Sequence, residues 1–485
     1  MLRASSIARR VVRPLSGVRG LATGGGSGKE SVASLAKRVS LKDKVVLVRA
    51  DLNVPMTKED SPKITDDTRI RGAVPTIKLL QEAGAKIVLC SHLGRPKKTP
   101  KEEWNRLALA PVAAELSSQL GTPVEYVTES VGPTIAPKVP AAGHVLLLEN
   151  LRFDPREEKN DPEFASALAT SCGASVYVND AFGAAHRAHG STAGVASAPG
   201  IEHSVAGLLM EKELKFLSGA VLDSPKRPLV AIVGGAKVST KLPVLESLLG
   251  AADAILIGGA MAFTFVKARG GAIGNSLCED DMLDMAKDLV KKAEAANVKL
   301  LLPSDAVVAA AVDESAATTI VPVDNVPDGQ LGLDIGPAAI AEYEGVIAGA
   351  GTVVWNGPMG VFEMKPFAAG TLAVANGLAE ATKKGTISVV GGGDSVAAVN
   401  KNKLGPAMSH VSTGGGASLE LLEGKVRTRD PSGRLCIVSR LSACALMWCL
   451  LSPHARAGAA RRRCPRRRLG RLSSLWHAMI IRRLS

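Results

Sequence analysis

Aromatic residues are scarce, 3% of 485, and no apolar run reaches the eighteen or so residues that a membrane-spanning helix needs. "CALMWCLL" near the end is far too short, so no membrane partner is expected. The seven cysteines include no C-x-x-C pair, which argues against a zinc finger and a disulfide framework. Cys90, Cys172 and Cys278 read as small apolar residues in a reducing compartment. His186 and His189 stand three apart in "AHRAH", but no second ligand pair joins them, so zinc is not expected there either. The phosphate-binding pattern G-x-x-x-x-G-K-[ST] is missing throughout. The first apolar run continues as "ADLNVP" rather than G-x-G-x-x-G, against a nicotinamide dehydrogenase.

Acidic residues are almost absent from the two ends. Residues 1–28 hold five arginines and no acid; residues 427–485 hold fourteen arginines, no lysine and the single acid Asp430. With +5 and +13 at the ends, the overall +13 leaves the middle at −5. A nucleic-acid partner, which a basic chain first brings to mind, is therefore not expected of the body. The first 28 residues have the Arg- and Ser-rich, acid-free composition of an organellar transit peptide followed by a Gly-rich linker; a solvated arm is the alternative. The arginine-rich end reads as a disordered tail.

What is present is a rhythm. Short Val/Ile/Leu runs at 44–52, 86–91, 145–150, 175–180, 229–235, 254–259, 299–303, 352–358, 386–394 and 409–416 alternate with segments of helical period. Near-continuous apolar runs are strands covered on both faces, so a parallel sheet flanked by helices follows. Asp161-Pro162 and Gly173 mark the ends of one helix; Leu109, Val112, Leu116 and Leu120 mark the buried face of another, closed by Gly121. Ten strands exceed one comfortable sheet. The expected fold is α/β, two Rossmann-like doubly wound parallel-sheet domains, 29–205 and 206–426, joined by a helix hinge over 204–222.

Ligands of such sheets gather at the carboxyl ends of the strands. In the first half those ends carry Asp51 and Asn53, His92 and Arg95, Arg152, then Asp180, His186, Arg187 and His189, with Arg69 and Arg71 expected in the loop after the first strand. Convergent arginines suit phosphate and carboxylate. A surface ion pair explains any one of them, but explains five at equivalent positions poorly. In the second half the strands end in Gly234-Gly235, Gly258-Gly259, Gly391 to Gly393 and Gly414 to Gly416, where backbone N–H groups can approach an anion or a flat base. Asp394 is either a magnesium carboxylate or a helix N-cap. A polyanion on one domain and a Mg-nucleotide on the other imply phosphoryl transfer. Two unit charges 4 Å apart repel by about 4 kcal/mol at an effective dielectric of 20, so cations must meet the migrating group. Lys237, in "AIVGGAKVSTK", and Arg69 are the natural pair, brought together by hinge closure.

The motifs "VRADLNVP", "TRIRGAVPTI", "SHLGRP", "LLENLRF", "VNDAFGAAHRAH", "GGAKVSTK", "IGGAMAFTF", "LGLDIGP", "VWNGPMGVFE", "GGGDS" and "STGGGASLELLEGK", in this order over 31–426, resemble the phosphoglycerate kinase family. The resemblance implies reversible transfer between 1,3-bisphosphoglycerate and Mg-ADP, giving 3-phosphoglycerate and Mg-ATP. It implies a monomer with small-molecule partners, without nucleic acid or membrane. By resemblance Asp51, Asn53, Arg69, His92, Arg95, Arg152 and Arg187 hold the phosphoglycerate; Lys237, Arg69, Gly415 and Gly416 stabilise the phosphoryl group in transit. Lys237, Lys241, Gly258, Gly332, Asn356, Glu363, Gly392, Gly393, Asp394 and Ser395 match nucleotide positions, Asp394 being linked to Mg2+.

Three departures from the family pattern stand out. Gln330-Leu331 replaces Trp-Met before Gly332, Ala184 replaces threonine, and after "LLEGKV" the usual Pro-Gly ending gives way to the arginine-rich tail. The last change sets up a competing expectation, a folded nucleotide-binding protein with impaired turnover. "TDDTRIR", "NDPEFA" and "GGGDSVAAV" are closer to the bacterial and plastid branch than to the animal cytosolic one. The leader, lacking a long apolar signal, places the mitochondrial matrix first among locations, then plastid stroma and cytoplasm.

Overall fold

The computed structural model describes residues 30–424 except Asp60, together with the short strands 427–429 and 435–437. The expected transit peptide and linker, and most of the expected disordered tail, lie outside the described residues. The hairpin of 427–429 with 435–437 was not expected, because the tail shows no strand rhythm.

The apolar runs fold as parallel strands. In the first half these are β1 (Val45–Ala50), β2 (Lys86–Cys90), β3 (Val124–Tyr126), β4 (Val145–Leu147), β5 (Val176–Asp180) and β6 (His203–Ala206), in the order β3-β4-β2-β1-β5-β6. In the second half they are β7 (Leu229–Val233), β8 (Ala254–Ile257), β9 (Ala272–Ile273), β10 (Lys299–Leu301), β11 (Asp305–Ala309), β12 (Thr319–Pro322), β13 (Asn325–Val326), β14 (Leu331–Ile335), β15 (Thr352–Asn356), β16 (Ile387–Gly391) and β17 (His410–Val411). The large second sheet runs β10-β8-β7-β15-β16-β17, while β12-β11-β14 and β13-β9 form small satellites.

Each large sheet is buried on both faces. Val46 and Val48 of β1 enter one core cluster and Leu47 the opposite one; Ala231 and Val233 of β7 face one side and Val230 and Ile232 the other. This is why the strands read as unbroken apolar runs rather than alternating ones.

Helices α1 (Val32–Arg38), α2 (Thr68–Glu82), α3 (Ala110–Leu120), α4 (Pro162–Cys172), α5 (Phe182–Ala185) and α6 (Leu208–Glu213) belong to the first half. Helices α7 (Val238–Leu249), α8 (Met261–Ala268), α9 (Leu283–Ala295), α10 (Pro337–Ala348), α11 (Ala369–Lys383), α12 (Gly393–Lys401) and α13 (Gly416–Leu422) belong to the second. The expected caps form: Asp161 accepts from the N–H groups of Glu163 and Phe164, and Gly121 and Gly173 end their helices with left-handed φ of 71° and 66°.

All ten expected strands are found, and most stop short of the glycine or polar residues that follow them. β3, β6 and the antiparallel satellite β12-β11-β14 were not expected. β3, β6 and β12 have three or four residues and little full burial, while β11 opens on Asp305 and β14 is interrupted by Gly332 and Asp334, so none carries a long apolar run. Two expectations are corrected. The hinge helix begins at Leu208 and continues as a π-helical stretch, Leu214–Asp223; residues 203–206 instead pair with β5, since Gly207 breaks the helix before Leu208. Arg69 and Arg71 lie in the first turn of α2 and not in a loop.

Both sheet orders reverse direction once, between β1 and β5 and between β7 and β15. At such a switch point the connections diverge to either side and leave a crevice beyond the strand ends. The β1/β5 crevice lies beside Asp51 and Asp180, and the β7/β15 crevice beside Gly234 and Asn356, whose neighbours across the ladder are Val233 and Gly391.

Candidate active site

At the first crevice the fold builds a cationic wall on a buried support. Asp51 is 1% exposed and its Oδ1 accepts from Arg69 Nη1 at 2.7 Å. The other guanidinium nitrogen, Nη2, reaches the carbonyl of Thr413 at 3.3 Å, so Arg69 spans from the first sheet's lobe to the loop before α13. Asn53 accepts from the Gly94 N–H at 2.8 Å, and Gly94 returns its carbonyl to Arg152 Nη1 at 3.0 Å. That pair of bonds fixes the "SHLGRP" turn, where Gly94 has a left-handed φ of 63°. Arg95 and Arg187 are exposed at the same rim, Arg187 donating from Nε to His186 Nε2.

Sequence reasoning missed Arg49. It sits inside β1, fully buried, donating to Ser191 Oγ at 3.0 Å, to the Ala50 carbonyl at 2.8 Å and from Nη2 to His92 Nδ1 at 2.9 Å. The signal was available: an arginine in the middle of "KVVLVRADL" has no place in a strand covered on both faces unless something pairs it. Ser191 passes a hydrogen bond to buried Glu157, which also faces His189 Nδ1 at 3.3 Å. Burial works to raise the Glu157 carboxyl, but the His189 hydrogen bond and the Arg49 charge outweigh it and hold it below its ordinary range.

His92 goes the other way. Burial first, then the charges of Arg49, Arg152 and Arg69, push its imidazole well below its usual range. Arginine can only donate, so Nδ1 must accept and the ring proton stands on Nε2. His92 is thus a neutral donor of fixed tautomer.

At the second crevice the glycines divide into two kinds. A Cβ on Gly234 would lie 2.1 Å from the Pro358 carbonyl, on Gly258 2.3 Å from Met359 Sδ, and on Gly332 1.9 Å from the Phe263 ring. At these three the chain itself occupies the space a side chain would take. Gly393, Gly415 and Gly416 have nothing within 4 Å of such a Cβ. Among the described residues, these three alone of the glycines at helix N-termini have open space there, two at α13 and one at α12.

Lys237 occupies the N-cap position of α7 and is exposed; Lys241 lies one turn on, half-buried, donating to Asn356 Oδ1 at 2.5 Å. Burial lowers the Lys241 ammonium, opposed by the charges of Asp394 and Glu423. Asn356 keeps a buried Nδ2 without a partner, 3.0 Å from where a Gly392 Cβ would stand. Ser395 is buried and accepts from the Gly357 N–H at 2.6 Å, while Glu363 is exposed in the loop beyond. Asp394 is an exposed residue in the first turn of α12, whose cap position belongs to Gly392, so the N-cap alternative does not hold. Its carboxylate, close enough to act on Lys241, suits a magnesium ion carried mainly by phosphates. Among the described residues no three His, Cys, Asp or Glu side chains gather as a metal cage. Cys90 and Cys172 are buried, their thiols pushed up by burial to about 12 and about 11.

Two doubly wound lobes, one with an arginine-rich crevice and the other with lysines and open helix N-termini, define a two-lobed phosphotransferase. Comparison with known proteins agrees. The family model described as phosphoglycerate kinase matches residues 36–425. The chloroplastic phosphoglycerate kinase of Volvox carteri is 56% identical over 400 residues, covering 82% of this chain and 84% of that protein. The phosphoglycerate kinase of Picosynechococcus is 55% identical over 399 residues, 82% of this chain and 97% of that protein. The phosphoglycerate kinase structure from Coxiella burnetii superposes with a TM-score of 0.71 at 43% identity, covering 82% of this chain and 96% of that one.

The chain belongs to the phosphoglycerate kinase family. It is an enzyme, a phosphotransferase with a carboxyl group as acceptor, and its reaction is the family's reversible transfer between 1,3-bisphosphoglycerate and ADP.

Proposed function

We propose that the two crevices divide this reaction, the first lobe holding the phosphoglycerate and the second the nucleotide. We place the lobe boundary where β6 gives way to α6, near residue 206. The observation that carries the reading is the Arg69 side chain, bound at once to Asp51 of the first lobe and to the carbonyl before the Gly414–Gly416 turn.

Asp51, Asn53, His92, Arg95, Arg152 and Arg187 bind and orient the phosphoglycerate. Arg152 and the rim arginines meet its anionic groups, and neutral His92 offers its Nε2 proton without adding charge. Asp51 holds Arg69 in place. Lys241, Asn356, Gly392, Gly393, Asp394 and Ser395 form the phosphate end of the nucleotide site, and Gly258, Gly332 and Glu363 its nucleoside end. Bound at Asp394 and the nucleotide phosphates, Mg2+ would neutralise phosphate charge during transfer. Lys237, Arg69 and the N–H groups of Gly415 and Gly416 meet the phosphoryl group as it passes, where charge is greatest and water is excluded by closure. The acyl phosphate C–O–P linkage breaks on the phosphorus side and the new P–O bond forms to the ADP terminal oxygen, leaving 3-phosphoglycerate. The chain works as a monomer on small molecules.

Lys237→Ala is expected to lower kcat about a hundredfold or more while changing either KM by less than about threefold, because its ammonium acts on the transition state. Coupled assays of phosphoglycerate-dependent ATP consumption check this; an unchanged kcat removes Lys237 from the role. The same assay on the chain ending at Val426 with a Pro-Gly ending restored tests the tail, and near-background turnover of the full chain alone would revive the impaired-binder alternative.

For location we propose the plastid stroma. The chloroplastic and cyanobacterial relatives support it, and the mitochondrial matrix expected from the leader receives no support from them. Imaging a fluorescent fusion that keeps the first 28 residues decides it; mitochondrial or cytosolic fluorescence rejects the plastid.

A further inference from the structure

Asp334 belongs to none of the groups above, yet it stands at the back of the nucleoside end. It lies two residues beyond Gly332 on β14, across a shift in register against β11, and both residues line the same small cavity with Phe263 and Met359. It is 4% exposed. Oδ2 accepts from the Gly370 N–H at 2.7 Å and Oδ1 from the Ile335 N–H at 2.9 Å.

Gly370 is the second residue of α11, a helix of fifteen residues whose cap position, Ala368, supplies no side-chain bond. The Asp334 carboxylate therefore does the capping from another element. It places an acceptor against the otherwise unpaired Gly370 N–H. Two glycines close on it. A Cβ on Gly360 would lie 2.3 Å from Asp334 Oδ1, and one on Gly370 2.5 Å from the same atom.

Between these two glycines runs the loop that bears Glu363. Its near end is tied by the Val361 N–H to the Leu333 carbonyl at 2.9 Å and by the Met359 N–H to Thr371 Oγ1 at 3.0 Å. Met359 packs against Gly258. The loop is thus held between β14 and the first turn of α11, with Asp334 joining the two. Through Met359 and Leu333 the joint touches Gly258 and adjoins Gly332, and Glu363 lies in the loop it holds.

We propose that Asp334 is a positioning residue for nucleotide binding, setting the loop 357–368 against Gly332 so that the nucleoside end of the site is formed before ADP arrives. This deepens, and rests on, the assignment of the nucleotide to the second lobe. A core residue that merely stabilised the fold would affect both substrates alike. A positioning residue of this loop affects ADP alone.

The experiment measures steady-state kinetics and direct binding of ADP and of 3-phosphoglycerate with the full-length parent, Asp334→Asn and Thr371→Val. For Asp334→Asn the KM and dissociation constant for ADP are expected to rise about tenfold, with kcat within about threefold and 3-phosphoglycerate binding unchanged. Thr371→Val, which removes the acceptor of the Met359 N–H, is expected to raise them about threefold in the same selective way. ADP constants within twofold of the parent, or equal losses for both substrates, overturn the proposal. If Asp334→Asn does not fold, the selectivity of Thr371→Val decides by itself. A parent that binds 3-phosphoglycerate but no ADP brings down the assignment of the lobe, and this inference with it. A parent that binds ADP as well as both variants do removes only Asp334.

Discussion

Arg49 and Asp334 represent opposite solutions to burying a charge. Arg49 is matched by donor geometry on three sides and by Glu157 through Ser191, so the buried charge is paired and spread over a network. Asp334 has only backbone N–H partners, and burial pushes its carboxyl up to about 7. Asp180, capping α6 through the N–H groups of Leu209 and Met210, is raised to about 6 for the same first reason. The sign follows from the folded value lying above the ordinary aspartate value of 3.8. Between about 4 and about 7 the native state holds a proton that the unfolded chain has released, so this group makes stability fall as pH rises. In Asp334→Asn that contribution disappears. Relative to the parent, unfolding free energy should gain up to about 1.4 kcal/mol per pH unit across the window, read from urea melts at pH 4.5 to 7. Parallel pH profiles for the two proteins would show that Asp334 titrates normally.

At the level of elements, the capping residues do what their chemistry allows. Asp161 caps α4 with two bonds and Pro162 sits in the first turn, where its missing N–H costs nothing. Asp161→Ala should cost about 1 kcal/mol, measured by denaturant unfolding, with kinetic constants unaltered because its cap bonds reach only Glu163 and Phe164 of its own helix. A loss below 0.3 kcal/mol would mean water replaces the cap fully. Asp394, with the same side chain, sits two residues past its helix's cap position and stays exposed, which residue type does not reveal. The cap falls on Gly392, whose positive φ of 83° no aspartate adopts readily. The glycines teach the same lesson. In sequence Gly258 and Gly415 both follow or precede glycine at the end of a strand, yet one is filled by Met359 and the other faces open space.

On the scale of the molecule, the two lobes meet through few but specific contacts. Phe182 and Ala185 of α5 enter the core cluster of the second lobe beside Leu421 and Leu422 of α13. Glu213, at the end of α6, accepts from the Thr413 N–H at 2.8 Å and pairs with His410 at 2.8 Å, so the hinge helix holds the turn that Arg69 touches. Phe182→Ala should cost about 3–5 kcal/mol in urea unfolding; a loss under 1 kcal/mol would mean the ring is not part of that core. The pattern of residue types suffices for the parallel strands, because burial on both faces demands unbroken apolar runs. It also determined the two-lobed class, the cationic and glycine-rich strand ends, and Lys237 with Lys241 one helical turn apart. It did not reveal β3, β6 or the small antiparallel sheet, whose strands are short, partly exposed or interrupted by glycine and aspartate. The rest is settled by long-range packing: which way each sheet turns at its switch point, which glycines are filled by the chain's own atoms, and which buried charges find partners. Those outcomes depend on what arrives from tens or hundreds of residues away, as Ser191 reaches Arg49 and Thr413 reaches Arg69, and no local pattern encodes them.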